Sequence, residues 1–117
     1  MPLLVDAANV VGSRPDGWWR DRAGATSRLL DRVASWADRC GEDVVVVVEG
    51  QARDVPEVGR VRLVRAAGSG DDALVAAVFD APGPWVVVTA DRGLRARLPE
   101  GTEVHGPGWL RGLLDEG

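Results

Sequence analysis

A chain of 117 residues with 45% apolar side chains can build one core and not two, so a single domain spanning 1–117 is expected. The longest aliphatic run, Val44 to Val48, is far too short to cross a bilayer, and Met1-Pro2 leads into Leu3 without a charged leader, so a cytoplasmic protein with no membrane contact is expected. The net charge of −4 counts against a nucleic-acid binder but is only a sum, so the placement of the arginines decides, and the single Cys40 excludes an internal disulfide, which fits a reducing compartment.

Pro2 to Val5 is apolar throughout and reads as a central strand covered on both faces, with Asp6 at its carboxyl end and no helix directly behind it. Val10 to Asp21 is rich in Gly, Pro, Ser and Asp and reads as a long loop, a common place for function. Leu29, Leu30, Val33, Trp36 and Ala37 recur at helical spacing and predict a helix from about Arg22 to Arg39, stopped by Gly41. Five consecutive valines, Val44 to Val48, form a poor helix and a good buried parallel strand, closed by Glu49-Gly50. Arg60 to Val64 alternates arginine with apolar residues, as a half-exposed edge strand does. Gly68-Ser69-Gly70-Asp71-Asp72 opens a helix to about Asp80, with Leu74, Ala77, Val78 and Ala81 inward, and Pro82-Gly83-Pro84 breaks it. Trp85 to Thr89 is a further buried strand, Asp91 starts a short helix to about Leu98, Thr102 to His105 is a last strand, and Pro107 to Leu114 a terminal helix.

Strands alternating with helices predict an α/β fold with a mainly parallel five-stranded sheet, most simply ordered 3-2-1-4-5. In such sheets ligands bind beyond the carboxyl ends of the strands, at the point where the strand order reverses. Asp6, Glu49 and Asp91 all follow strands at that end, and Asp71 and Asp72 open a helix. Each acid also has a local reading. Ser69 and Asp72 fit a capping box, Asp91 fits an N-cap before Arg92, and Glu49 fits a solvated loop. Asp6 has no such alternative and is the strongest candidate. Acids brought together raise one another's pKa unless a cation joins them, and oxygen-only ligands select magnesium or manganese over zinc. Asn9 fits beside them as a neutral group orienting Asp6 or a water. Such a centre suits phosphodiester hydrolysis.

The pattern Val-Asp-Ala-Ala-Asn near the amino terminus, an acid after the second strand, Gly-Asp-Asp opening a helix and Thr-Ala-Asp-Arg after the fourth strand resembles the NYN domains of the PIN-like nuclease superfamily. The resemblance runs over nearly the whole chain. It implies a three-layer PIN-like (Rossmannoid) fold and a Mg2+- or Mn2+-dependent endoribonuclease acting on RNA. It implies Asp6, Asn9, Asp71, Asp72 and Asp91 as the site, with Glu49 where relatives often carry an acid.

All fourteen basic residues are arginine, the side chain that grips phosphate with two parallel hydrogen bonds. Arg14, Arg20, Arg22, Arg53, Arg92 and Arg95 fall in or beside loops at the acidic end and are candidates for a phosphate-binding rim, or else for a solvated surface. Trp18 and Trp19 suit base stacking or pinning the loop to the core. Trp36, Trp85 and Trp109 read as core, and His105 as structural rather than a proton shuttle. Other classes remain open: a PIN-like module that binds RNA or a protein without cleaving, and a Mg2+-dependent nucleotide phosphohydrolase. Ala8 removes the Asp-x-Asp pair of haloacid-dehalogenase enzymes, and Gly68-Ser69-Gly70 lacks the lysine of a Walker loop. The sequence leaves a homodimer open.

Overall fold

Consecutive side chains of a strand point to opposite faces, so an all-apolar strand needs a cover on each side. The computed structural model, which describes residues 2–14, 17–81 and 84–116, shows that arrangement. Strands β1 (Leu3–Asp6), β2 (Val44–Val48), β3 (Arg62–Arg65), β4 (Val86–Val88) and β5 (Glu103–His105) form one sheet in the order β3-β2-β1-β4-β5. Every pairing is parallel, so the expected order holds and the sheet is parallel throughout rather than mainly so. Helices α1 (Ala7–Val11), α2 (Arg22–Cys40) and α5 (Pro107–Glu116) share one core with Leu3, Val5, Val46 and Val88. Helices α3 (Gly70–Asp80) and α4 (Arg92–Ala96) share the other with Leu4, Val47 and Val87. The result is a three-layer sandwich.

Local chemistry sets the element ends. Asp21 caps α2 by accepting from the Gly24 amide at 2.9 Å, and Gly41 ends it at φ +67°, a left-handed conformation that glycine adopts without steric cost. The arginine-bearing β3 lies at the sheet edge and is half-exposed, as its alternation predicts. Ala81 sits beyond the last turn of α3 instead of on its inner face. The Pro82-Gly83 part of the expected break lies outside the described residues, as do Pro15 and Asp16 of the long loop. Trp18–Arg20 in that loop forms a single 3-10 turn. Among the described residues no helix is long and apolar enough to cross a membrane.

One expectation is overturned. A helix does begin directly after Asp6, and Asp6 is its N-cap. Val10 and Val11 belong to that helix and not to a loop. Two β-branched residues before Gly12 look like a strand end or loop by propensity, but tertiary burial of Ala7 and Val10 outweighs that preference.

Leu30 and Leu74 are fully buried in opposite layers. Truncating either to alanine is expected to lower unfolding stability by about 2–5 kcal/mol, read as a shift of the urea midpoint at unchanged slope.

Candidate active site

The alternation that buries Leu4, Val47 and Val87 under α3 and α4 also decides where the next polar residues point. Two residues beyond each of them stand Asp6, Glu49 and Thr89, on the same face and on three adjacent strands. Glu49 continues the extended backbone of β2, and Thr89 continues the ladder by donating its amide to the His105 carbonyl at 2.9 Å. The amino end of α3 covers this face, which brings Asp71 toward the strand ends.

Asp6 is 3% exposed. Its carboxylate accepts from the Asn9 amide at 3.4 Å, the Asn9 Nδ2 at 3.3 Å and the Thr89 hydroxyl at 3.2 Å. Asn9 Oδ1 in turn accepts from the Ala90 amide at 3.1 Å, and Thr89 Oγ1 accepts from the Asp91 amide at 3.2 Å. Asp91 caps α4 through the Leu94 amide at 3.1 Å. The first strand is thereby tied to the α4 entrance by two independent bridges. Glu49 accepts from the Gly70 amide at 2.5 Å, and its carboxyl carbon lies 2.8 Å from where a Cβ on residue 70 would stand, so only glycine lets it sit there.

Repulsion couples Asp71 to three other acids. Burial pushes the Asp6 carboxyl above the usual carboxylate range, against the lowering pull of its hydrogen bonds with Asn9 and Thr89, and the Asp71 charge adds to the rise. Asp71 is also raised, by desolvation first, then by the charges of Asp91 and Glu49 and a hydrogen bond with Asp91, while Arg97 opposes the rise. Asp72 is turned elsewhere: it pairs with Arg97 at 2.8 Å on the surface. The candidate acids thus divide into Asp71 with its three neighbours Asp6, Asp91 and Glu49, and an outlying Asp72.

The donor chemistry fits a hard divalent cation, because the group is all oxygen and its like charges lack a full counterweight. Among the described residues, however, no three acidic, histidine or cysteine side chains are arranged to hold a metal ion as they stand.

Beside the acids lies a cavity of about 390 Å³ lined by residues including Ala8, Val11, Trp18, Arg22, Thr26 and Glu49. The Arg22 guanidinium lies over the Trp18 ring at 5.2 Å, and Trp18 meets Trp19 edge-on at 5.9 Å. Trp18 is half-buried, whereas Trp19 is 50% exposed with Arg20 over its ring. Arg14, Arg53, Arg92 and Arg95 are exposed. His105 pairs with Glu103 at 2.8 Å and stacks on Trp109 at 4.1 Å, which is the structural placement expected of it.

Sequence reasoning missed Thr89 and Arg97. The signal for Thr89 was a lone hydroxyl ending an otherwise apolar strand. Arg97 had none, since its partner Asp72 is 25 positions away.

No protein-family model matches the chain, and no curated protein matches it either. Among solved structures, Rae1 (YacP) from Bacillus subtilis superposes with a TM-score of 0.77, over 99% of this chain and 76% of that one, at 17% identity. A single-substitution mutant of Rae1 gives a TM-score of 0.75, over 98% and 77%, at 18% identity. The fold is therefore Rae1-like. In a Rae1-like sheet ordered this way the switch point falls between β1 and β4, where Asp6, Thr89 and Asp91 meet.

A carboxyl whose folded pKa exceeds its unfolded value stabilises the fold below the unfolded value and loses that contribution as pH rises through the folded one. In metal-free buffer, Asp71→Asn is therefore expected to raise Tm relative to the parent at pH 7, with the gain shrinking as pH is lowered toward 4, measured by paired thermal melts.

Proposed function

We propose that the protein is a metal-dependent ribonuclease that hydrolyses RNA phosphodiester bonds with Mg2+ or Mn2+. The observation that carries this reading is the crowding of Asp71 against Asp91 and Glu49, next to the buried Asp6, at the switch point of a PIN-type sheet. Acids held in mutual repulsion at a ligand-binding edge are the mark of a site selected for something other than stability. The NYN-like order of the acids along the chain points to the same chemistry.

Asp6, Asp71 and Asp91 would hold the ion, with Glu49 beside them and Asp72 held off by Arg97. A bound Mg2+ or Mn2+ supplies the Lewis acidity that polarises a phosphoryl oxygen and makes water a nucleophile near neutral pH. Asn9 and Thr89 keep the Asp6 carboxylate in one orientation and fix it relative to Asp91, so the acids meet substrate with little reorganisation. The Trp18 and Arg22 cavity offers an aromatic and cationic wall to an unstacked base, Trp19 is exposed for stacking, and Arg20, Arg53 and Arg92 lie outward where they can meet backbone phosphates.

A second reading is a module of the same fold that binds RNA without cleaving it. It is favoured by the absence, among the described residues, of a ready-made trio of metal ligands.

Two experiments separate these readings. With single-stranded RNA, the protein is expected to cleave in Mn2+ and to stop in EDTA, and Asp6→Asn to lower the rate by about 100-fold or more. Cleavage that survives Asp6→Asn rejects the hydrolase. Thr89→Val, which cuts the link between Asp6 and the α4 entrance, is expected to weaken Mn2+ affinity by about 10–100-fold, read from the Mn2+ dependence of Tm.

A further inference from the structure

At the far end of α1 from Asp6, a groove of about 230 Å³ runs between α1, α2 and α5, floored by Val10, Val11, Ala25 and Leu29 and walled by Arg14, Arg28, Arg32 and Arg111. Four guanidiniums in one hollow are conspicuous in a chain of net charge −4. They are also built into the fold. Arg28 and Arg32 are one turn apart on α2 and share a face. Arg111 donates to the Val10 carbonyl at 2.6 Å and the Ser13 hydroxyl at 2.8 Å, which fixes α5 against the end of α1. Arg32 pairs with Asp115, an exposed carboxylate at the rim. Arg14 and Arg28 are exposed.

The position matters as much as the charge. Helix α1 has five residues and so spans about 7.5 Å, with the Asp6 cap at one end and the groove at the other. Val11 lines both this groove and the Trp18 and Arg22 cavity beside the acids, so the two hollows share a wall. A polyanion lying in the groove would be one side chain, Val11, away from the aromatic cavity that Glu49 helps to line.

We propose that this groove binds the sugar-phosphate backbone of a single RNA strand, adjacent to the segment that enters the acidic centre. The guanidinium fork matches phosphate oxygens in pairs, and the apolar floor contacts sugars without reading sequence. Three of the arginines, Arg28, Arg32 and Arg111, come from the bodies of helices rather than from the rim loops. The choice of RNA as the polyanion rests on the ribonuclease reading; the phosphate chemistry of the groove does not.

The test is fluorescence anisotropy of a labelled oligouridylate in EDTA over a salt series, with Arg14→Ala/Arg28→Ala against the parent. Affinity is expected to fall about tenfold and the salt slope by about 1.4, at about 0.7 for each phosphate that is no longer neutralised. Arg60→Ala/Arg62→Ala, an equal charge change at the amino end of β3, is expected to leave both nearly unchanged. An equal loss in the two double variants overturns the groove, as does an Arg14→Ala/Arg28→Ala variant that binds like the parent. Inorganic phosphate at matched ionic strength provides a further arm. A thermal shift abolished by the double substitution, with RNA affinity intact, makes the groove a small-anion site and also overturns the proposal. A parent that binds oligouridylate through Arg14 and Arg28 but never cleaves it in Mn2+ keeps the groove and removes the ribonuclease reading.

Discussion

The arrangement depends on one buried carboxylate and what holds it. Asp6 lies at the end of a strand with both faces covered, where an unpartnered charge would cost several kcal/mol. Two neutral side chains share its stabilisation. Asn9 comes from the helix that Asp6 caps and Thr89 from the end of the neighbouring strand, and each accepts a second hydrogen bond from a backbone amide of the loop that carries Asp91. Neutral partners satisfy the oxygens without cancelling the charge. An arginine in the position of Thr89 would have bound Asp6 more strongly and cancelled that charge.

The acids around Asp6 follow the opposite rule. Asp91 and Glu49 raise the cost of ionisation for Asp71, and the Arg97 that opposes this shares its guanidinium with Asp72. Folding tolerates the strain because the acids sit at the rim, where water and counter-ions screen them. Gly70 has a part in this as well: its missing side chain gives Glu49 the space to reach back to the helix start. Placement of that carboxylate is thus decided by a residue with no chemistry of its own.

Much of this was readable in the amino-acid order, because the signals were local. Five valines in a row, helical spacing from Leu29 to Ala37 and the αL stop at Gly41 each define an element within its own window, and alternation of strand and helix leads to the sheet order. Asp6, Asp71 and Asp91 were readable for the same reason, each being an acid at an element boundary. Helix α1 was not, since Val10 and Val11 are poor helix formers directly before Gly12, and only burial of this face makes them helical. The Asp-x-x-Asn spacing of Asp6 and Asn9 was its one visible mark, a variant of the capping box. Thr89 and the arginine groove were hidden for another reason. Their meaning lies in partners 83 to 101 positions away, which no local pattern carries.

That separation has a consequence for how the molecule comes into being. The bonds from Thr89 to Asp6, from Ala90 to Asn9 and from Arg111 to Val10 all join early residues to late ones, and loops of that size close slowly. During synthesis the bonds that hold Asp6 and Asn9 cannot form until β4 and the residues directly after it have emerged. A nascent chain therefore carries Asp6 long before it carries the partners that hold Asp6 in place.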